Sequence, residues 1–348
     1  FEIPDITMTD EGDYYKLASS ECVLRINKST VMFSMYKADN STLLWKEASV
    51  LKYGANGTVQ TLESSAGEYF YGCGMQGGYF NHKGRKVLIA PDYNWDDGGA
   101  SNPAPFYWSS RGYGAFRNTY DSGSYDFSDS SIVKTYHNED RFDCFYMVGD
   151  TPQEILSHYT DLTGKPNFIP RWGLGIGYAN YYEKLSQDQP PYFGDTKYAD
   201  DGLESIFKMY RITDAFKDND FPLAFVIPND GYGSVVDNDE LKIFGETILN
   251  NNGVRLGAWT STGLKDFDTW VRNGLRMVKL DVGWVGTGYS MALDATRQAY
   301  NNIVNNSNDR AYIWSCCGWA GTQRYSAIWS GDQYGNWEYI RQTIPTYI

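Results

Sequence analysis

The sequence predicts an α/β protein with two domains: a β-sandwich over residues 1–150, then a (β/α)8 TIM-type barrel over residues 170–348 that is truncated after about six strand–helix units. Three observations carry this. A chain of 348 residues exceeds what one hydrophobic core usually supports. Its first part alternates apolar and polar residues in short segments separated by Gly, Asn, Asp and Ser clusters. From Arg171 the pattern changes to apolar runs interleaved with amphipathic stretches, the signature of strands buried on both faces by helices.

Segments such as Cys22-Val23-Leu24-Arg25-Ile26 and Gly114-Ala115-Phe116-Arg117 have the length and alternation of antiparallel strands. Thr151-Pro152-Gln153-Glu154 then combines an N-cap, a proline at the first helical position and a capping-box Glu. Ile155, Leu156, Tyr159 and Leu162 supply a helical stripe that stops before Gly164, so residues 151–169 read as a linker helix and connection.

Beyond it, the runs 174–182, 221–228, 254–260, 275–284, 311–317 and 326–330 are the expected parallel strands. Between them lie amphipathic sets: Leu203, Ile206, Phe207 and Tyr210; Leu241, Phe244 and Ile248; Leu264, Phe267, Trp270 and Val271. Gly253 and Gly274 close two of these helices. Repeated strand–helix units suit either an open doubly wound sheet or a barrel, and no GxGxxG fingerprint marks a dinucleotide site within residues 171–348, which favours the barrel. A last helix is expected from about Trp337, and the remaining barrel units and accessory domains are expected to lie outside this sequence.

The net charge of −13, with no run of Lys or Arg, repels phosphate backbones and anionic headgroups, so nucleic acid and membrane surfaces are poor candidate partners and no nucleic acid is expected. No apolar stretch is long enough to span a bilayer. The five cysteines are odd in number and lack CxxC pairs, which argues against a disulfide framework and a zinc site; no metal and no cofactor are expected. The 29 Tyr and 11 Trp suit stacking on sugar rings, although sandwich cores also consume aromatics. The start at Phe1 reads as a processed or excised chain, and sequons at Asn27, Asn40, Asn56 and Asn305 lead us to expect a secreted or cell-surface protein, with the cytoplasm left open.

In a parallel barrel, functional groups gather where strands end. Asp230, Asp281 and Asp332 each follow an apolar run. Any one of them alone would more often N-cap the next helix; three together, with Trp284, Trp319 and Trp337 near them in sequence, favour a site. Retaining glycosyl transfer needs a carboxylate to attack the anomeric carbon and a carboxylic acid to protonate the leaving oxygen, about 5–5.5 Å apart. Candidate substrate contacts are Asp230, Lys279, Trp284, Trp319, Arg324, Trp337, Tyr178 and Trp95. Arg324 is as readily a structural ion pair, and Trp95 belongs to Asn94-Trp95-Asp96-Asp97, a sandwich loop or an ordinary Asx-rich turn. His82, His137 and His158 precede the barrel and are not expected to ligate or act as bases.

The stretch from Gly321 to Gln333, with Trp329-Ser330-Gly331-Asp332 at its end, resembles the acid/base region of glycoside hydrolase family 31. Met277-Val278-Lys279-Leu280-Asp281 is similar to that family's nucleophile strand, Glu68-Tyr69-Phe70-Tyr71-Gly72 to its sandwich, and Pro170-Arg171-Trp172-Gly173 to its barrel entry. The resemblance implies Asp281 as nucleophile and Asp332 as acid/base of a retaining, exo-acting α-glycoside hydrolase. Two departures stand out: Val282-Gly283-Trp284 follows the nucleophile, and Cys316 occupies the place of a sugar-binding Arg. With the short interval between the two acids, these features look closest to the α-N-acetylgalactosaminidase branch, then to α-galactosidases, and so imply a terminal α-linked GalNAc or galactose on glycans. Alternatives are an α-glucosidase or transglycosylase of the same family, and a non-catalytic carbohydrate-binding module.

Overall fold

The computed structural model describes residues 5–90, 96–179, 205–227, 238–260, 263–281 and 289–347. The chain divides into two compact units, one comprising residues 1–165, 319–321 and 330–348, the other residues 166–318 and 322–329.

In the first unit the alternating segments pair as antiparallel strands. Strands β1 (Thr7–Asp10), β2 (Tyr14–Ala18), β3 (Cys22–Asn27), β4 (Phe33–Lys37), β5 (Leu43–Lys52) and β6 (Thr58–Glu63) form a meander. The four strands β7 (Phe70–Gln76), β9 (Ala100–Ser109), β10 (Tyr113–Arg117) and β13 (Cys144–Val148) make a second sheet in the order β13-β10-β9-β7. The remaining strands, β8 (Lys86–Ile89), β11 (Gly123–Asp126) and β12 (Ile132–His137), extend the meander in the order β6-β12-β11-β8.

Alternation places Thr58, Gln60 and Leu62 of β6 and Val133, Thr135 and His137 of β12 inside. Rings from the two sheets fill the space between them: Trp45 stacks on Tyr146 at 4.3 Å, and Tyr107 meets Tyr125 edge-on at 5.6 Å. The fully buried Glu47 carboxylate accepts from Phe33 N and Gln60 Nε2, and burial pushes its pKa upward.

Every residue of β10 is buried because helix α1 (Pro152–Thr163) covers its outer face. Phe106 stacks on Tyr159 of this helix at 4.1 Å, and a side chain at Gly114 would meet Ile155 Cγ2 at 2.7 Å. The helix begins where the sequence signals it: Thr151 caps Glu154 N, and the Glu154 carboxylate returns to Thr151 N. Such a cap stabilises the fold by about 1 kcal/mol.

The second unit carries a sheet of six parallel strands among the described residues: β14 (Gly177–Ala179), β15 (Phe225–Ile227), β16 (Arg255–Thr260), β17 (Leu275–Leu280), β18 (Tyr312–Ser315) and β19 (Ala327–Ile328). Their spatial order equals their chain order, so every crossover advances the same way. A doubly wound sheet would reverse direction at a switch point; one-way winding is the construction of a (β/α)8 barrel. The crossovers contain α2 (Ser205–Asp218), α3 (Asn238–Asn252), α4 (Phe267–Arg272) and α5 (Tyr289–Asn306). Gly253 and Gly274, at φ 69° and 111°, follow α3 and α4 as C-terminal stops. Helix α6 (Trp337–Tyr347) belongs to the first unit.

The strands are shorter than the apolar runs. Arg171–Leu174 forms a 3-10 turn, leaving Leu174 exposed, and the first strand starts only at Gly177. The sheet is two-faced. Val226, Leu256, Val278, Leu280 and Ile313 pack toward the helices with Ile248, Val271, Ala299 and Ile303, whereas Phe225, Ile227, Trp259, Met277 and Tyr312 cluster on the opposite face. Among the described residues no helix is long and apolar enough to cross a membrane.

Candidate active site

Side chains alternate along β17, so Met277, Lys279 and, one step past the strand, Asp281 share the face turned away from the helices. The parallel register sets Trp259 of β16 beside Lys279, and Lys279 beside Trp314 of β18. Two further backbone bonds, Asp281 N to Thr260 O at 2.9 Å and Cys316 N to Leu280 O at 3.1 Å, carry the ladder past the strand ends. The Asp281 side chain therefore emerges between Trp259 and Cys316.

Both carboxylate oxygens meet a neutral donor. The indole N–H of Trp259 donates to Oδ2 at 2.5 Å, and the Cys316 thiol donates to Oδ1 at 3.2 Å. Lys279 Nζ lies 3.9 Å from Oδ2 and 4.2 Å from the centre of the Trp329 ring. With its side chain only 6% exposed, the ammonium is held by a carboxylate and an aromatic face, the kind of pairing a buried cation requires. Asp281 keeps 18% of its side chain accessible. Next door, burial pushes the Cys317 thiol up to about 11, keeping it protonated.

The other candidates divide. Arg324 ends a 3-10 turn in the second unit with its guanidinium 5.0 Å from the Tyr325 ring centre. Tyr178 packs with Val226, Ile248, Val254 and Leu256 on the helix side of the sheet and meets Phe216 edge-on, a core position. Trp319 is buried in the first unit, its indole N–H donating to Thr119 O at 3.0 Å. Asp332 and Trp337 also fall in the first unit; Asp332 is exposed beside Gly331 (φ 111°), and Trp337 is 84% exposed. Asp230, Trp284 and Trp95 lie outside the described residues. Asp96 accepts from Tyr339 Oη at 2.6 Å. Among the described residues no group of three or more His, Cys, Asp or Glu side chains is arranged to hold a metal.

Residues 1–126 match the glycosyl hydrolase 31 N-terminal galactose mutarotase-like domain, and residues 285–348 match the glycosyl hydrolases family 31 TIM-barrel domain. The chain belongs to glycoside hydrolase family 31. Among relatives in this family, an α-xylosidase of Saccharolobus solfataricus is 27% identical over 385 residues, covering 94% of this chain and 51% of that protein. An α-xylosidase of Emericella nidulans is 34% identical over 148 residues, covering 40% of this chain and 19% of that protein. The alignment with α-glucosidase 2 of Bacillus thermoamyloliquefaciens, at 21% identity, covers 80% of this chain and 45% of that one. The chain thus spans about half or less of these relatives. Its fold is similar to that of the Flavobacterium johnsoniae family 31 dextranase, with a TM-score of 0.79 at 15% identity over 98% of this chain and 51% of that one.

The family 31 resemblance pointed to Asp281, to the strand that holds Lys279 and to the segment that holds Trp329, but not to Trp259, and Cys316 stood out only as a departure. A signal for Trp259 was available: it ends its own apolar run, two residues after Gly257.

Proposed function

We propose that the protein is a retaining, exo-acting α-glycoside hydrolase, with Asp281 as nucleophile and Asp332 as general acid/base. The observation that supports this most directly is the Asp281 carboxylate at the C-terminal end of a central parallel strand, accessible and oriented through both oxygens by Trp259 and Cys316. In the first step an Asp281 oxygen bonds to the anomeric carbon as the glycosidic C–O bond breaks, and Asp332 gives its proton to the departing oxygen. In the second, Asp332 takes a proton from water, the water oxygen bonds to the anomeric carbon, and the Asp281 ester bond breaks. The nucleophile is consumed and restored, and no cofactor is needed.

For the sugar, the named relatives are α-xylosidases and an α-glucosidase, which puts α-xylosides and α-glucosides first. None of these names carries the galactosamine-type substrate expected from the sequence. That second reading, terminal α-linked GalNAc or galactose, rests on Cys316 standing where an Arg would bind glucose and on Val282-Gly283-Trp284 after the nucleophile. The deciding experiment uses the complete gene product with nitrophenyl α-xyloside, α-glucoside, α-galactoside and α-GalNAc, following the anomer released by NMR. Release of the α-anomer first is expected; first release of the β-anomer would reject retention, and binding without release would favour a carbohydrate-binding module.

A further inference from the structure

We infer that Trp259 and Cys316 are positioning residues for the displacement reaction, clamping the two oxygens of Asp281 from the strands on either side of β17. This rests on the reading of Asp281 as nucleophile.

An Asp at a strand end has a broad, nearly two-fold torsion about its last bond, so its carboxylate plane is not fixed by its own backbone. Displacement at carbon demands a defined approach, and a misplacement of about 1 Å can cost roughly 10²-fold in rate. The two flanking strands supply what the backbone lacks. Trp259 is seated in the cluster of Phe225, Ile227, Met277 and Tyr312, so its N–H cannot swing away from Oδ2. Cys316 is 2% exposed and its backbone N–H is tied to Leu280 O, which holds its Cα at the level from which the thiol reaches Oδ1.

The chemistry of the donors fits the task. Both are neutral, so neither discharges the carboxylate, and a thiol is a weak donor. An Arg would form a stronger, charge-assisted bidentate pair. The two donors thus orient the carboxylate without adding a second positive charge to the Lys279 ammonium 3.9 Å from Oδ2.

The test compares Trp259→Phe, Cys316→Ala, Cys316→Ser and Asp281→Asn in the complete protein, using the nitrophenyl α-glycoside the wild type cleaves fastest. The values of kcat and KM are measured separately, with thermal melts to verify folding. Trp259→Phe and Cys316→Ala are each expected to lower kcat by about 10- to 100-fold with KM changed less than about threefold. Cys316→Ser, which restores a donor, should recover most of the loss. Single variants within about twofold of wild-type kcat while Asp281→Asn is inactive would overturn the clamp, as would a Ser variant no better than Ala. A fully active Asp281→Asn would instead remove the nucleophile reading itself. Should Trp259→Phe fail to fold, the Cys316 pair alone decides.

Discussion

Oδ2 of Asp281 accepts a 2.5 Å hydrogen bond from the indole N–H of Trp259, across the ladder that joins β16 to β17. The carboxylate needs no rearrangement of its own strand to present itself, and removing it leaves a small gap at a strand end. Asp281→Ala is therefore expected to fold and to lose at least about 10³-fold in kcat, because no other group forms the covalent ester. Azide added to this variant should enter the gap and displace an activated leaving group directly, giving a β-glycosyl azide. Unchanged hydrolysis, or an α-azide product, would contradict the assignment.

Asp332 has a different signature. A general acid matters in proportion to the basicity of the oxygen that departs, so Asp332→Asn should slow cleavage of alkyl α-glycosides by about 10²- to 10⁴-fold. A dinitrophenyl glycoside, whose leaving group departs as an anion, should be bound and cleaved in its first step almost normally. Measuring the pre-steady-state release of dinitrophenolate separates the two; an equal loss on both substrates would count against the role.

Local signals were legible where they were strong. Thr151 and Glu154 announced the start of α1, and Gly253 and Gly274 the ends of α3 and α4. What the sequence hides is register. Trp259, Asp281 and Cys316 meet because three strands distant in sequence are set at one level, and no single segment encodes that alignment. Trp319 makes the same point: its N–H donates to Thr119 O, a partner that its neighbours in the chain do not announce. Tyr178 likewise faces the helices, a choice made by strand direction and not by residue type.

Lys279 is expected to serve substrate binding at the site of Asp281. Lys279→Met keeps an unbranched apolar side chain and removes the ammonium, with its contacts to the Trp329 ring and to Asp281. A group that contacts sugar hydroxyls in both ground and transition state should, when lost, raise KM about 10-fold or more with a smaller effect on kcat. Steady-state kinetics decide; a loss confined to the melting temperature would reduce Lys279 to a structural pairing with Asp281.

The sandwich carries its own pH dependence. His137 is fully buried, with Nδ1–H donating to Asp121 O at 2.9 Å and Nε2 accepting from Tyr125 Oη at 3.0 Å. That arrangement requires the neutral ring, and burial lowers its pKa to about 4. In the unfolded chain the imidazole titrates near 6.5, so between those values the unfolded state binds a proton that the folded state refuses. Stability is complete above pH 6.5 and is lost as the pH falls toward 4, by roughly 3 kcal/mol for this residue. His82, lowered by burial, acts in the same direction; Glu47, raised by burial, acts against it, since its contribution is present at low pH and lost as the pH rises through its folded-state pKa. His137→Gln, which can offer a similar donor and acceptor without titrating, should melt somewhat lower at pH 7 but lose less on acidification from pH 6.5 to 4. If thermal melts of the two proteins fall in parallel across that interval, His137 is not the titrating group.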